Sequence, residues 1–217
     1  SISGNGKVVD KEINIHNFNG LSVRGAFDIH LINSDDTIVV LTTDENLIPY
    51  INFQLNDSIL EINTLRNINR SKELKLTISC PVLKSIDFSG ATEIYNDSTL
   101  NMDNLRINIS GTGRLNLKLD INTLTVNISG GAELIFEGQC NKLNITITGV
   151  GNINADKMET TTCSIDISGY GRSKLNVTDQ ININISGYGK VLYTGNPTIK
   201  QNITGSAKII KLPEKYK

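Results

Sequence analysis

The sequence predicts an all-β fold: a right-handed parallel β-helix, or solenoid, of two sheets with coils of 18–21 residues. Three observations predict it: a recurring Ser/Thr-Gly pair, an alternation of apolar and polar residues before each pair, and a Gly or Ala two positions after six of the seven glycines. Successive glycines of these pairs are 21, 19, 19, 20, 18 and 18 residues apart. So narrow a period over seven occurrences indicates one repeated structural unit. The glycines are Gly90, Gly111, Gly130, Gly149, Gly169, Gly187 and Gly205.

A short strand is predicted before each glycine. In the second repeat, Ile107 and Ile109 lie four and two positions upstream of Gly111, with the polar Asn108 between them. The other repeats follow the same pattern, with Gln201 as one exception at an apolar position. A period of two with β-branched residues on one side is typical of a strand with one buried face. We therefore expect the isoleucines to fill an interior and the asparagines to lie outside.

A tight corner is predicted after each strand. The chain must turn at the Ser/Thr-Gly pair, and we expect the corner glycines to adopt positive φ, which glycine does without a Cβ clash. A second small residue follows, as at Gly113 and Ala132, and apolar residues then resume, as at Leu115 and Leu117. Each repeat is thus predicted to contain two short strands joined by a glycine corner.

Stacking of the repeats follows from their length. One such unit cannot bury its apolar face alone, but stacked units can. The period leaves no room for helices of about ten residues, and a propeller blade needs about 40 residues. Coils stacked at roughly 4.8 Å fit best, and right-handed winding is the rule for parallel crossovers.

Two regions are predicted within one continuous solenoid. Residues 81–217 form the regular repeats with the seven corners, whereas residues 1–80 form irregular coils that also cap one end. In the first region we expect an eighth corner at Gly25, strands at 37–42 and 58–63, and a turn or single helical turn at 44–49. At the other end, the segment 211–215, with its charges and Pro213, is expected to blunt the open sheet edge.

Composition argues against several classes of protein. The 217 residues carry a formal net charge of −1, which predicts no basic surface for nucleic acid. No run approaches the ~20 apolar residues that a membrane-spanning helix needs. Residues 1–11 are polar, and a mature chain whose signal peptide has been removed would look the same.

The three cysteines are predicted to be free thiols. Cys80 and Cys140 are three coils apart, roughly 14 Å. Cys140 and Cys163 are one coil apart but offset by three residues, roughly 10 Å along the strand. Both separations exceed the ~7 Å limit between the Cα atoms of a disulfide.

Several motifs carry a resemblance to a known family. They are GNGKVV at 4–9, FNGLSV at 18–23, GAFDI at 25–29, VVLTTDENL at 39–47, GNIN at 151–154 and the repeated Ser-Gly-x-Gly corners. With them, nearly the whole chain resembles the auto-transporter adhesin family with a head GIN domain from Bacteroidetes. The resemblance implies a pectin-lyase-like superhelix of two sheets, export as a periplasmic or surface-anchored protein, an adhesive role, and no known catalytic residues.

A pectin-lyase-like, carbohydrate-active enzyme is the alternative function, because parallel β-helices often carry such enzymes. Its acids would have to converge, either as two carboxylates ~5–10 Å apart or as ligands of a Ca²⁺ ion. Asp87 and Asp166 share one outward row but are four coils apart, roughly 19 Å. Neither His16 nor His30 has a Cys, His or carboxylate at metal-ligand spacing, apart from Asp28 two residues before His30. We therefore predict no enzymatic activity and no catalytic, cofactor-binding or metal-binding residues.

One surface feature is a candidate ligand contact. Tyr170 and Tyr188 directly follow corner glycines in adjacent coils. Arg172 and Lys190 lie two residues further on, and Lys208 extends their row. Exposed aromatic rings beside cations can bind a glycan or the carboxylates of a partner, although an ordinary cross-coil stack with solvated charges has the same pattern. We refer to these five residues as the rim.

The sequence thus predicts an exported, non-catalytic, adhesin-like or surface-binding β-solenoid. Its repeated coils would present similar polar side chains along a stiff rod, so that many weak contacts with a partner add up to stable binding. The expected partner is a glycan or a host or cell-surface protein, at the periplasmic or cell-surface side of the membrane, with a lipid anchor in the full-length precursor as one mode of attachment. Besides the enzyme, a purely structural or self-associating spacer, and with it a homo-oligomer, stays open as an alternative.

Overall fold

The computed structural model describes residues 1–214, which form nineteen strands and one short 3₁₀ helix. The strands of the N-terminal region are β1 Ile2–Ser3, β2 Val8–Glu12, β3 Gly20–Arg24, β4 Asp28–Leu31, β5 Ile38–Asp44, β6 Ile51–Asn56, β7 Ile59–Thr64, β8 Ile68–Arg70 and β9 Leu74–Ser79, and the helix spans Glu45–Tyr50. The remaining strands are β10 Ser85–Phe88, β11 Ala91–Tyr95, β12 Leu100–Ile109, β13 Thr112–Ile128, β14 Gly131–Ile147, β15 Val150–Ile167, β16 Tyr170–Ile185, β17 Tyr188–Thr194, β18 Thr198–Ile203 and β19 Ser206–Lys211. The strands predicted at 37–42 and 58–63 and the helical turn predicted at 44–49 are confirmed. No helix in this part of the chain is long and apolar enough to cross a membrane.

The strands β10 to β19 stack as parallel coils in the predicted register. Asp87 pairs with Asn108 and Asn108 with Asn127, and the same row continues coil by coil to Asn202. The predicted all-β solenoid is therefore confirmed. In the central coils the two predicted short strands are joined into one strand of 16–18 residues, as in β13 to β16, because pairing with the adjacent coils continues through the bends.

The corner glycines serve a different purpose from the predicted one. Within residues 1–214 only four glycines have positive φ, and none of the seven repeated corner glycines is among them, so that prediction was wrong. Close stacking explains these glycines instead. A Cβ atom on Gly130 would lie far inside contact distance of the Gly111 carbonyl oxygen in the preceding coil, and one on Gly111 would meet Gly90 in the same way. Glycine is needed because the backbones of adjacent coils approach each other at the corner.

The interior is a stack of branched apolar side chains. The residues two and four positions before each corner glycine are buried in every regular coil except the last, as Ile128 and Ile147 illustrate. The small residue after the corner leaves room for them. A Cβ on Gly171 would lie 2.8 Å from Ile147 Cδ1, and one on Gly113 would overlap the Phe88 ring. Each isoleucine removed from water in this way contributes about 1.5–3 kcal/mol to folding.

The N-terminal region adds two layers to the stack in an order that differs from their order in the chain. β3 and β4 stack directly on β10 and β11, so that Gly25 forms the predicted eighth corner next to Gly90. β7 and β9 form the next layer outward, although they follow β3 and β4 in sequence. β6 then pairs antiparallel with β7, β5 with β9, and β2 with β5, which covers this end of the solenoid.

The C-terminal end of the solenoid is open. β18 pairs with β16 and β19 with β17, and within residues 1–214 neither strand has a partner on its other side. Ile199, Ile203 and Ile209 in this last coil are accordingly only half-buried. In the segment predicted to close the stack, the Leu212 N–H donates to the Tyr193 carbonyl at 2.7 Å. The rest of that segment includes position 215, which lies outside the described residues.

Candidate functional site

The structure brings the five rim residues together on one side of the last three coils. Tyr170 pairs in register with Tyr188. Arg172, Lys190 and Lys208 form the neighbouring row. Because side chains two residues apart on a strand share a face, the tyrosine row and the cation row run side by side along the solenoid axis. The buried glycine between them in β16 and in β17 faces the interior and so places both neighbours outward.

The two tyrosine rings are stacked and exposed. Their centroids are 4.8 Å apart and their planes differ by 8°, yet Tyr170 and Tyr188 remain 55% and 46% exposed. Val150, which is 57% exposed, precedes Tyr170 in the same row, and Ser206 follows Tyr188. The row is therefore an apolar and aromatic ridge that ends beside a small residue, and its rings can take a further flat ring in the stack.

The three rim cations form a row of like charge. Arg172 and Lys208 are exposed and Lys190 is half-buried. Within the described part of the chain, none of the three forms an ion pair with a carboxylate. They stand in adjacent coils, about 4.8 Å apart along the axis, where like charges destabilise strand pairing. An anionic group bound across this row would offset their repulsion.

A second aromatic stack lies on the N-terminal coils. The rings of His30 and Tyr95 are 4.5 Å apart with planes at 8°, and His30 Nε2 lies 2.9 Å from Asp97 Oδ2. This pair was not predicted from the sequence. Each residue lies five positions after a corner glycine, Gly25 or Gly90, so counting from the eighth corner would have placed both in one row, as the register does.

The polar row before the corners is a ladder of amides. Asn108 donates from Nδ2 to Asp87 Oδ1 at 2.6 Å, and Asn127 donates from Nδ2 to Asn108 Oδ1 at 2.8 Å. Four ladder steps separate Asp87 from Asp166, as predicted. The two carboxylates are therefore too far apart to act on one glycosidic bond. A shallow groove of about 490 Å³ follows this row. Apart from Asp87 and Arg24, its polar lining consists of serine, threonine and asparagine side chains, which offer hydrogen bonds rather than acid–base chemistry.

A deeper cleft of about 990 Å³ lies between the N-terminal cap and the first regular coils. Apolar side chains such as Val82 and Met102 line it together with Asp35, Asp103 and Asp120. The cleft can admit a ligand, but its three aspartates would repel an anion. The cleft could not be predicted from the repeat, because it lies where the repeat is irregular.

All three cysteines are free thiols, which agrees with the register argument. Burial raises the pKa of Cys80, which lines the cleft, and the pKa of Cys140 to about 11 each. Burial also raises the pKa of Cys163, and the neighbouring Cys140 adds to that effect. A nucleophilic cysteine needs a lowered pKa, so these thiols are protonated at neutral pH and lack that property.

Histidines and acids do not converge on a metal site in the region that the structure describes. In residues 1–214 no group of three or more His, Cys, Asp or Glu side chains is placed to hold a metal ion. His16 Nε2 lies 2.7 Å from Asn14 Oδ1, and the partners of His30 are the ring and carboxylate described above. Both histidines are thus accounted for by local contacts.

The same fold occurs in solved structures of bacterial proteins. A putative adhesin from Bacteroides fragilis superposes with a TM-score of 0.89 at 24% identity, covering 98% of this chain and 100% of that chain. A putative adhesin from Parabacteroides merdae gives a TM-score of 0.74 at 23% identity, covering 98% and 99%. A putative lipid binding protein from Parabacteroides distasonis gives 0.77 at 21% identity, covering 98% and 99%. At these identities the likeness shows the fold alone. No curated protein matches the chain.

One family model matches most of the chain. It is described as "Putative auto-transporter adhesin, head GIN domain" and covers residues 17–197. The match includes the corners from Gly25 to Gly187 and four of the five rim residues, with Lys208 beyond its end. The resemblance drawn from the sequence motifs is confirmed, and the chain belongs to the head GIN domain family of putative auto-transporter adhesins.

Proposed function

We propose that this protein is a non-catalytic, exported, adhesin-like protein that binds its ligand at the rim. The observation that carries the proposal is the exposed stack of Tyr170 and Tyr188 beside a row of cations that form no ion pair within residues 1–214. Rings already held in a stack lose little conformational entropy when a ligand binds. The rim cations can meet carboxylate, sulfate or hydroxyl groups of a partner.

A surface role is supported by the comparisons. The family is described in terms of adhesins, and two structural neighbours carry the same name. Export to the periplasm or the cell surface belongs to this proposal, as does a glycan or cell-surface protein as the partner. The stiffness of the stacked coils supports it further, because a rigid rod presents the rim without an ordering cost.

A non-catalytic role is supported by the geometry of the acids and thiols. The two carboxylates of the polar row, Asp87 and Asp166, are separated by four coils. The raised pKa of about 11 keeps Cys80 protonated. Turnover of a panel of polyuronides would contradict this part of the proposal and favour the carbohydrate-active enzyme.

A self-associating spacer is the second candidate, because the open edge of β18 and β19 could accept strands from another copy. Lysines at that end oppose it, since Lys200, Lys208 and Lys211 would face like charges across a two-fold axis. We therefore expect a monomer by light scattering. A defined oligomer that binds no ligand would support the spacer instead.

Binding to an array of glycans and host-matrix proteins tests the proposal. The double variant Tyr170→Ala/Tyr188→Ala is expected to lose about five- to 150-fold in affinity, because each aromatic contact contributes about 0.5–1.5 kcal/mol. The matched control is Tyr95→Ala, which removes a stacked ring from the N-terminal coils. It is expected to bind as the wild type does.

Circular dichroism and thermal melting of all three proteins show whether the variants keep the fold. Tyr170 and Tyr188 are largely exposed, so little change is expected. Array binding by the double variant at wild-type strength would remove the rim from consideration.

A further inference from the structure

We infer that the ligand of the rim is an anionic polysaccharide, which lies along the solenoid axis across the last three coils. This inference rests on the proposed function. It starts from the distribution of charge along the chain. Residues 170–217 contain eight basic and two acidic residues, a net charge of +6. Residues 1–169 contain thirteen basic and twenty acidic residues, a net charge of −7, and the two parts together give the −1 of the whole chain.

The row that contains the rim cations shows the same change of sign from coil to coil. In the earlier coils Arg114 lies 3.7 Å from Glu93 and 3.4 Å from Glu133, its two neighbours in the row. The row then continues through the neutral Asn152 to Arg172 and the two lysines. The fold therefore neutralises this row in the earlier coils and leaves it cationic in the last three.

The spacing of anionic groups along a linear polysaccharide is similar to the spacing of the rim cations along the solenoid axis. A sugar ring is about as long as the ~4.8 Å spacing between coils, so successive uronate or sulfated sugars can bring their anionic groups to successive coils. Each contact would offset the repulsion between neighbouring cations in the row. Binding would also release counterions from the polymer and weaken as salt is added.

The tyrosine row supplies a position for one sugar ring. Ser206 follows Tyr188 in the row and is too small to cover the outer face of its ring. A sugar can stack there with its C–H groups against the aromatic face. Lys190 and Lys208 lie two residues further along their strands, roughly 6–7 Å away, within reach of a carboxylate or sulfate on that sugar.

Two other polyanions fit the arrangement less well. An anionic membrane is contacted by cations clustered along one face that lies on its surface. Single-stranded nucleic acid is bound by a basic groove with several stacking aromatic rings. Here the cations form a single file, and one open ring face lies beside them.

Calorimetric titration with polygalacturonate and dextran sulfate tests the inference, with neutral dextran as the control polymer. The wild type is expected to bind both anionic polymers, more weakly at higher salt, and not the neutral one. Removing the three rim charges is expected to lower the affinity at least about tenfold and to reduce its salt dependence. This variant is Arg172→Gln/Lys190→Gln/Lys208→Gln.

A matched control removes three exposed charges that lie before residue 170, one in the N-terminal cap and two in earlier coils. It is Lys11→Gln/Lys84→Gln/Lys142→Gln, and its affinity is expected to stay within about twofold of the wild type, because only local charge contacts the polymer. A second variant, Ser206→Val, places a branched side chain beside the Tyr188 ring without changing charge. It is expected to weaken binding severalfold while the salt dependence is retained.

The outcomes separate this inference from the proposed function. If the wild type binds neither anionic polymer but Tyr170→Ala/Tyr188→Ala still loses array binding, the polysaccharide assignment fails and the proposed function stands. If no rim variant alters binding to anything, both fail. Equal affinity for polygalacturonate, single-stranded oligothymidylate and phosphatidylglycerol vesicles would also overturn the assignment.

Discussion

At the scale of single residues, Asp44 shows how one side chain fixes the N-terminal cap. Asp44 is only 1% exposed. Its carboxylate accepts hydrogen bonds from the backbone N–H groups of Gly6 at 2.6 Å, Lys72 at 2.8 Å and Glu73 at 3.4 Å. Burial by itself raises the pKa of Asp44, but these bonds outweigh burial and hold the pKa below its usual value. The carboxylate thus joins the N-terminal segment and the turn before β9 to the end of β5.

Replacing this carboxylate should destabilise the fold in a pH-dependent way. In Asp44→Asn one acceptor becomes a donor that faces a backbone N–H, so we expect a loss of about 1.5–3 kcal/mol at pH 7. The wild-type carboxylate has a lowered pKa in the folded state. Its contribution is therefore complete above the unfolded value of about 3.9 and is lost as the pH falls through the folded value. Urea unfolding at pH 7 and near pH 3 should show the difference between variant and wild type shrinking.

Asp35→Asn is the control for this measurement. Asp35 is exposed, and a surface substitution of this kind changes stability by about 0.5 kcal/mol or less. If Asp44→Asn were no more harmful than Asp35→Asn, or its effect were the same at both pH values, the carboxylate would not hold the cap.

Residue-scale features were predictable from the sequence where they belong to the repeat. The rim was located by counting from the corner glycines, and the register places Tyr170 beside Tyr188 as that count requires. Asp44 could not be located in this way. Its partners are 38, 28 and 29 residues distant and lie outside the repeat, so only the folded chain brings them together.

At the scale of the structural element, two adjacent glycines at one corner differ in the space around them: Gly130 has no room for a side chain, whereas Gly131 has room for a methyl group. A Cβ on Gly130 would overlap the carbonyl of Gly111, whereas the nearest atom to a Cβ on Gly131 is Thr112 Cγ2 at 3.8 Å. Neither Gly130 nor Gly131 has positive φ. The difference between them is therefore one of space and not of backbone conformation.

Alanine at these two positions should have opposite effects. We expect Gly130→Ala to cost at least about 2–3 kcal/mol, because the coils must separate locally to admit the methyl group. We expect Gly131→Ala to be neutral or to stabilise by about 0.4–1 kcal/mol, because it restricts the unfolded chain without a clash. Urea unfolding followed by circular dichroism measures both. Equal destabilisation by the two would show that backbone conformation, and not stacking distance, selects glycine at the corner.

For the strands and corners, the sequence correctly predicted the spacing of the coils but not the reason why glycine occupies the corners. The spacing of the glycines predicted the coil length, and the alternation of apolar and polar residues predicted the buried face of each strand. The structure agrees with both. A glycine required for positive φ and a glycine required for close approach of two backbones appear identical in the sequence, at the same spacing. The sequence alone therefore could not distinguish the two reasons. Only the position of the neighbouring coil, with the Gly111 carbonyl against Gly130, decides between them.

At the scale of the whole molecule, the repeat in the sequence did not predict two properties, the stacking order of the N-terminal strands and the separation of charge along the chain. β7 and β9 stack outside β3 and β4 despite following them in the chain, because pairing there depends on long-range and antiparallel contacts that leave no period. The charge separation was concealed for a different reason. The net charge of −1 is the sum of +6 and −7 on the two parts of the chain, and charge counted coil by coil would have revealed the basic end.

The two ends of the solenoid should also differ in stability, which hydrogen exchange can measure. A coil is stabilised mainly by its neighbours, and the central strands β13 to β15 have a coil on each side. β18 and β19 have one neighbour each; Ile199, Ile203 and Ile209 in these strands are only half-buried, and Ile210 is exposed. We therefore expect amides at 198–211 to exchange fastest among the solenoid strands, because local opening there exposes little apolar surface.

The capped end supplies the control for this experiment. β3 and β4 lie beneath a further layer, which antiparallel strands cover in turn, so their amides should exchange nearly as slowly as those of β14. If instead β18 and β19 were as protected as the central coils, their outer edge would have to be covered in solution. Repeating the exchange over a range of protein concentrations then identifies the cover, because protection by a second copy falls on dilution whereas protection by the chain itself does not.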